Sequence, residues 1–223
     1  MKGNLLLKSF IGFSAIYLFV ILTGREDIAW FMKPFLIPFL ILAVYNQEYF
    51  TTKNILLAAL TFSWIGDIIL LFADTAEIYF ILGLIAFLIS HIVYIILFSK
   101  QLKTIRKKNK AIYWIGITAI IVYLMVMLAV LFPNLGDLKI PVFVYAMVIS
   151  TMLLFAFKGY FIWGKPANNY ILLGAVFFVT SDSILAFNKF YEPVIWSSFF
   201  IMATYLLAQY LIVIGILKLN QKK

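Results

Sequence analysis

Long apolar runs, separated by short polar or turn-forming segments, dominate the chain. A transmembrane helix needs about 20 mostly apolar residues to cross a hydrocarbon core of about 30 Å. Windows of this length predict helices over residues 5–23, 28–45, 54–73, 78–98, 112–132, 140–157, 168–187 and 194–218. We therefore predict an all-α polytopic membrane protein with eight transmembrane helices in a single membrane domain, residues 1–223.

The composition supports this class of protein. Hydrophobic residues make up 65% of the chain, charged residues 12%, and the mean hydropathy is +1.06, well outside the range of soluble domains. The first predicted helix carries Lys2 and Lys8, as a signal peptide does, but LTGRED follows it without an A-x-A-like cleavage site, so we expect it to be retained. The absence of cysteine excludes disulfides and thiolate metal sites.

The charge distribution predicts the topology. If the termini and the even-numbered loops lie on one side, that side holds 14 of the 18 basic residues, namely Lys2, Lys8, Lys53, Lys100, Lys103, Arg106, Lys107, Lys108, Lys110, Lys158, Lys165, Lys218, Lys222 and Lys223. The other side holds Arg25, Lys33, Lys139 and Lys189. Because basic loops stay in the cytoplasm, we expect both termini to be cytoplasmic. We also expect the membrane to be a bacterial inner membrane.

The basic run KQLKTIRKKNK, residues 100–110, accounts for much of the net charge of +9. It joins the fourth and fifth predicted helices, where we expect it to act mainly as a topology signal and to contact anionic membrane lipids. No nucleic-acid-binding motif accompanies it, so we do not expect nucleic acid as a partner.

Two carboxylates occur in matching positions of apolar helices. WIGDIILLF, residues 64–72, and VTSDSILAF, residues 179–187, share the order small residue, Asp, any residue, Ile, Leu, any residue, Phe. This match, with a proline-bearing helix ahead of each, suggests two four-helix repeats, 1–99 and 111–223, joined by the basic loop 100–110. Chance similarity between apolar segments is the alternative.

Charged side chains inside a membrane cost several kcal/mol unless they face the bundle interior and find a partner, so they are candidate functional residues. Here these are Asp67, Asp182, His91 and Lys33. Polar residues in the same helices that support them are Tyr94, Tyr145, Ser181, Ser183, Asn188, Tyr205 and Gln209.

The predicted helix ends place the two acids at one level. Asp67 and Asp182 would both lie roughly 8 to 10 Å below the outer surface, and His91 roughly 10 Å deeper. Paired carboxylates suit acid and base catalysis when their surroundings give them different pKa values, so that one is protonated and the other ionised.

Simpler structural roles also fit these residues. The acids could only hold helices together through hydrogen bonds, His91 could serve helix packing, and Lys33 could extend to the interface. The sequence offers no metal-binding spacing and no G-x-S-x-G nucleophile motif, so we predict neither a metal nor a cofactor.

An ordered set of motifs resembles the YhhN-like, or lysoplasmalogenase, family of membrane proteins. The motifs are KP (33–34), GDIIL (66–70), GLIAFLISHIVY (83–94), PVFVY (141–145), GAVFFVTSDSILAFNKF (174–190) and TYLLAQYLI (204–212). The resemblance implies an eight-helix enzyme that hydrolyses the vinyl-ether bond of a lysophospholipid, the lysoplasmalogen. Its products are a fatty aldehyde and glycerophosphocholine or glycerophosphoethanolamine.

This resemblance suggests a mechanism in which an acid protonates the outer alkene carbon and water traps the resulting oxocarbenium ion. We expect Asp67 to be the protonated acid. Asp182, flanked by the hydroxyls of Ser181 and Ser183, would be the ionised partner, although the reverse assignment is also consistent with the sequence. Lys33 and Tyr145 would hold the phosphate, while His91, Tyr94, Tyr205 and Gln209 would line a deeper pocket.

Two other classes of function remain open. A carrier or lipid-binding protein would use the acid pair to relay protons, and a structural or assembly factor would use the acids for packing alone. The sequence does not predict an oligomeric state.

Overall fold

The computed structural model describes the backbone of residues 2–102 and 110–221 and the side chains of residues 3–102 and 111–221. Most of the predicted basic loop, residues 103–109, therefore lies outside the described residues. The described residues form α-helices and short 3-10 helices and contain no strand, which confirms the predicted all-α fold.

Nine α-helices are described. They are α1 (Lys2–Leu22), α2 (Glu26–Met32), α3 (Leu36–Tyr45), α4 (Lys53–Leu70), α5 (Glu77–Gln101), α6 (Lys110–Leu131), α7 (Lys139–Tyr160), α8 (Ala167–Phe190) and α9 (Ser197–Asn220). Helices α2 and α3 form one span, so the described residues contain eight segments long and apolar enough to cross a membrane. The prediction of an integral membrane protein with eight transmembrane helices is confirmed.

The second span changes its helical geometry at its prolines. A 3-10 turn, Lys33–Phe35, separates α2 from α3. Pro38 has no N–H for the carbonyl of Pro34, four residues earlier, so an α-helical hydrogen bond is missing here. The indole Nε1 of Trp64 on α4 donates to that carbonyl at 2.7 Å, which satisfies a polar group that lipid cannot.

Several helix boundaries differ from the prediction by a few residues, and two of them have local reasons. Helix α4 ends at Leu70 rather than at residue 73. The next three amides bond to carbonyls three residues back, as in a turn. The side chains of Leu71, Phe72 and Ala73 are still apolar, so the hydropathy pattern did not reveal this end. Helix α9 begins at Ser197 rather than residue 194. Pro193 precedes it, and Trp196 adopts the left-handed conformation with φ of 59°, which interrupts the helical geometry.

The chain divides into two compact units, unit 1 (Met1–Leu97) and unit 2 (Phe98–Lys223), whose boundary falls within α5. In unit 1, α3 packs against both α1 and α4. The hydroxyls of Ser63 on α4 and Ser90 on α5 are 2.8 Å apart, and Ser90 also donates to the Ala59 carbonyl at 2.9 Å. The internal duplication predicted from the sequence stays a prediction.

Unit 2 is organised around the antiparallel pair α8 and α9. Glycines on both helices allow the backbones to approach closely. A Cβ atom at Gly174 would lie 2.9 Å from the Ala208 carbonyl oxygen, and one at Gly215 would lie 3.1 Å from the Ile171 amide nitrogen. Small residues allow this close approach in membrane helices. Because lipid tails are as apolar as the helix side chains, close packing rather than the hydrophobic effect drives helix association. Helix α7 packs against α8, and α6 packs against α7.

Candidate functional site

Asp182 and Tyr145 form the central polar pair of unit 2. Tyr145 lies four residues after Pro141, which occupies the first turn of α7, where its missing N–H needs no helical partner. The Tyr145 hydroxyl donates to Oδ2 of Asp182 on α8 at 2.5 Å. A phenol that donates to a carboxyl group favours its ionised form, so this hydrogen bond would stabilise a negative charge on Asp182.

A second tyrosine reaches the next residue of α8. The hydroxyl of Tyr123 on α6 is hydrogen-bonded to Oγ of Ser183, and Ser183 donates to the Val179 carbonyl at 2.6 Å. Because a hydroxyl carries one proton, Tyr123 is then the donor to Ser183. The Tyr123 phenol is also close enough to the Asp182 carboxyl group for an electrostatic interaction. Helices α6 and α7 therefore each direct a phenol toward the same two residues of α8.

These groups line a groove between α6, α7 and α8. It holds about 460 Å³ of empty space, including the space at its open mouth. Each helix contributes residues spaced by three or four positions, as expected for one helical face. The apolar residues that line it are Leu124, Met127, Leu128, Leu131, Val142, Ala146, Ile149, Val179 and Ala186.

The serines beside Asp182 do not supply the hydrogen bonds expected from the sequence. Ser181 donates to the Ile201 carbonyl on α9 at 2.9 Å, and Ser183 donates to Val179. Each single hydroxyl proton is therefore directed away from Asp182. Tyr145 is a donor to Asp182, and its predicted contact with a phosphate stays a prediction.

Asn188 has a structural position near the end of α8. Its Oδ1 accepts a hydrogen bond from the Val194 amide at 2.9 Å, which orders the connection to α9. The structure thus brings Tyr145, Asp182 and Ser183 to one groove. Ser181 and Asn188 instead tie α8 to α9 and to the loop between them.

Asp67 lies in unit 1, on α4, and is 3% exposed. Its neighbour Gly66 faces the ring of Phe87 on α5, where an added Cβ would meet ring carbons at 2.7 Å. Tyr17 of α1 is also 3% exposed. Its phenol is close enough to the Asp67 carboxyl group for an electrostatic interaction. Asp67 therefore occupies a tightly packed part of unit 1 to which three helices contribute.

Lys33 begins the 3-10 turn of the second span and is partly buried. The turn is held against α4 by the bond from Trp64 to the Pro34 carbonyl, one helical turn before Asp67. A second indole, that of Trp30, donates to the Leu71 carbonyl at the end of α4 at 3.3 Å. The KP motif thus lies in a segment that two tryptophans fix to the Asp67 helix.

The remaining predicted residues belong to the buried parts of each unit. His91 and Tyr94 on α5 are 0% exposed, and His91 follows directly after Ser90, which is bonded to α4. On α9, Tyr205 is 3% exposed with its ring edge-on to Phe178, and Gln209 is 0% exposed. Their burial is as expected for polar side chains that face the interior of a helix bundle. Their predicted role in lining a deeper pocket stays a prediction.

The helix ends do not place the two acids at equal distances from the helix termini. Asp67 is three residues before the end of α4, and Asp182 is eight residues before the end of α8. At 1.5 Å per residue these separations along the helices are about 4.5 Å and about 12 Å. The difference arises because α4 ends earlier, and α8 later, than the hydropathy pattern suggested. The predicted common depth of roughly 8 to 10 Å below the outer surface stays a prediction.

Sequence reasoning missed Tyr123, Tyr17 and Trp64. Each is an aromatic residue with a polar group that lies five to eight residues before the end of its helix, inside the span, whereas membrane-interface aromatics cluster at the helix ends themselves. This position was the available signal. It identifies a polar tip that needs a partner inside the membrane, but it does not identify the partner.

Comparisons with known proteins identify the family of the chain. The model of the YhhN family matches residues 28–216, a range that begins after α1. Lysoplasmalogenase TMEM86A of Homo sapiens is 32% identical over 160 residues, which are 70% of this chain and 62% of that protein. The Bos taurus protein of the same name shows the same identity and coverage. The match therefore spans less than two thirds of the length of these relatives. No solved structure matches the chain.

Proposed function

Because the chain belongs to the YhhN family, as its motifs predicted, we propose that it is a membrane hydrolase that cleaves the vinyl-ether bond of lysoplasmalogens. The products would be a fatty aldehyde and glycerophosphocholine or glycerophosphoethanolamine. The relatives named lysoplasmalogenase support this activity. The observation that carries the proposal within the structure is the Tyr145–Asp182 hydrogen bond in an apolar groove.

The chemistry of a vinyl ether fits a carboxylate in this setting. A proton adds to the outer alkene carbon, and the adjacent carbon becomes an oxocarbenium ion. Water attacks that carbon and loses a proton, which gives a hemiacetal. The hemiacetal then breaks its bond to the glycerol oxygen, which takes a proton, and the aldehyde is released. A fixed anion stabilises the cation that forms before water attacks.

Asp182 is the group that we assign to this cation. A carboxylate has about four acceptor sites, so Asp182 accepts from Tyr145 and also from an attacking water molecule. Tyr145 orients the carboxylate, since its hydroxyl is bonded to Oδ2. The role of Asp67 as proton donor stays a prediction from the sequence, and a variant of Asp67 tests it separately.

The direct experiment incubates purified protein with a lysoplasmalogen and measures free aldehyde. Two substrates of equal chain length serve as controls, the acyl lysophospholipid and the saturated alkyl-ether lysophospholipid. We expect aldehyde from the vinyl ether alone, because only an alkene carbon can be protonated in this way. Aldehyde release from none of the three would refute the proposal and favour the carrier or binding function.

We also propose that both termini are cytoplasmic, in a bacterial inner membrane. The chain contains no cysteine, so single-cysteine variants can be labelled without background. Thr75→Cys, in the exposed turn after α4, should react with an impermeant maleimide in intact cells, whereas Gln221→Cys should not. The reverse pattern of labelling would reject this topology.

A further inference from the structure

The groove of unit 2 has an apolar wall on each of its three helices. Leu124 and Leu128 of α6 face it, with Val142 and Ile149 of α7 and Val179 of α8. Only Tyr123, Tyr145, Ser150, Asp182 and Ser183 add polar groups. Two of these, Tyr145 and Asp182, are bonded to each other, and Tyr123 is bonded to Ser183. Most of the lining therefore suits a hydrocarbon.

The charge of the groove is unsuited to a phosphate. None of the described residues that line it is Lys, Arg or His, and Asp182 contributes a carboxylate. A phosphate placed there would lose its hydration, meet no cation and lie close to a like charge. The hydrocarbon chain of a lysolipid, placed in the groove, carries no charge and so has none of these costs.

Helix α6, which forms one wall of the groove, is largely exposed on its outer face. Of the eight spans, the one that contains α6 is the least buried. Tyr123, at the polar part of the groove, is 38% exposed. The groove is therefore accessible from the exposed surface at Tyr123.

We infer that the unit 2 groove binds the hydrocarbon chain of a single-chain lipid, while the phosphate headgroup stays outside the groove. The inference rests on the proposed function, because it assigns the orientation of that substrate. It replaces the phosphate contact expected for Tyr145 with a chain contact along α6 and α7. The bond to be cleaved would then lie where the chain passes the Tyr145–Asp182 pair.

Photolabelling with two probes tests this orientation. Both are 1-O-alkyl glycerophosphocholines with a saturated ether; one carries a diazirine in the middle of the chain and the other carries it on the headgroup. After irradiation of the full-length protein in lipid nanodiscs, mass spectrometry locates the labelled residues. We expect the chain probe to label groove residues of α6 and α7, such as Leu128 and Ile149, and the headgroup probe to leave them unlabelled.

Groove-filling variants add a matched comparison. Ala146→Leu and Ala186→Leu place extra methyl groups in the groove, whereas Ala129→Leu adds them at an exposed position of α6. The first two should lose groove labelling, and Ala129→Leu should keep it. Two filling variants are used so that the test survives if one of them fails to fold, which size-exclusion chromatography would show.

The results separate this inference from the proposed function. A saturated ether is not turned over, so labelling does not require hydrolysis. Groove labelling by the headgroup probe, or no groove labelling by the chain probe, overturns the inference even if aldehyde is released from a lysoplasmalogen. Groove labelling by the chain probe alone supports it even if the aldehyde assay fails.

Discussion

The hydroxyl of Tyr145 lies 2.5 Å from Oδ2 of Asp182, and the two residues stand 37 positions apart on α7 and α8. The Tyr145 hydroxyl is a neutral donor that fixes the orientation of the carboxyl group. In our proposal Asp182 is ionised, and in an apolar groove such an anion would stabilise a developing positive charge more strongly than in water.

Removal of either member of this pair should reduce aldehyde release by different amounts. We expect Asp182→Asn to lower kcat/KM by about 10² to 10⁴-fold, since the charge is lost. Tyr145→Phe should lower it by about 10- to 100-fold, the size of a hydrogen bond to a charged group. In the double variant, Tyr145→Phe should add little to the loss, because its partner charge is already absent. Losses that multiply independently would contradict a shared role.

Asp67→Asn tests the proton donor. We expect a loss of about 10² to 10⁴-fold in kcat, the range for a general acid. Asp74→Asn is the matched control, because Asp74 is exposed in the turn after α4. Thermal unfolding in detergent must show that both variants are folded. Full activity of a folded Asp67→Asn variant would remove Asp67 from the mechanism.

Gly174→Ala should destabilise the α8–α9 pair. Its Cβ would lie 2.9 Å from the Ala208 carbonyl and 3.0 Å from the Ile212 amide, both backbone atoms that cannot rotate away. Overpacking of this kind costs about 1 to 3 kcal/mol. Gly12→Ala on α1 is the comparison, because no atom lies within 4 Å of its added Cβ. That variant should be neutral or stabilised by up to about 1 kcal/mol, the helix preference of Ala over Gly. Equal melting temperatures for the two variants would argue against close packing of α8 and α9.

Trp64→Phe should destabilise unit 1 by leaving the Pro34 carbonyl without its indole donor. The expected loss is about 1 kcal/mol, typical of a hydrogen bond between membrane helices. Pro38→Ala supplies a backbone N–H four residues after Pro34, so it should recover part of the loss. Unfolding measured for both single variants and the double variant gives the coupling energy. A coupling of zero would mean that the indole and the missing amide do not serve the same carbonyl.

Much of the fold followed from the sequence. The eight spans could be predicted because lipid cannot satisfy backbone polar groups, so each segment must form its own helix. The acids could be singled out for a related reason, since Asp67 and Asp182 are costly in such segments. The family could also be predicted, because its motifs occur in order along one chain.

Tertiary contacts decided the composition of the groove. Tyr145 meets Asp182 and Tyr123 meets Ser183 across 37 and 60 positions, so no local pattern links them. Ser181, adjacent to Asp182 in sequence, bonds to α9 instead, because neighbouring residues on a helix point in different directions. Hydropathy along the chain determined which segments cross the membrane. Which polar tips meet there depended on how those helices pack, since hydrogen bonds between helices form only where the side chains converge.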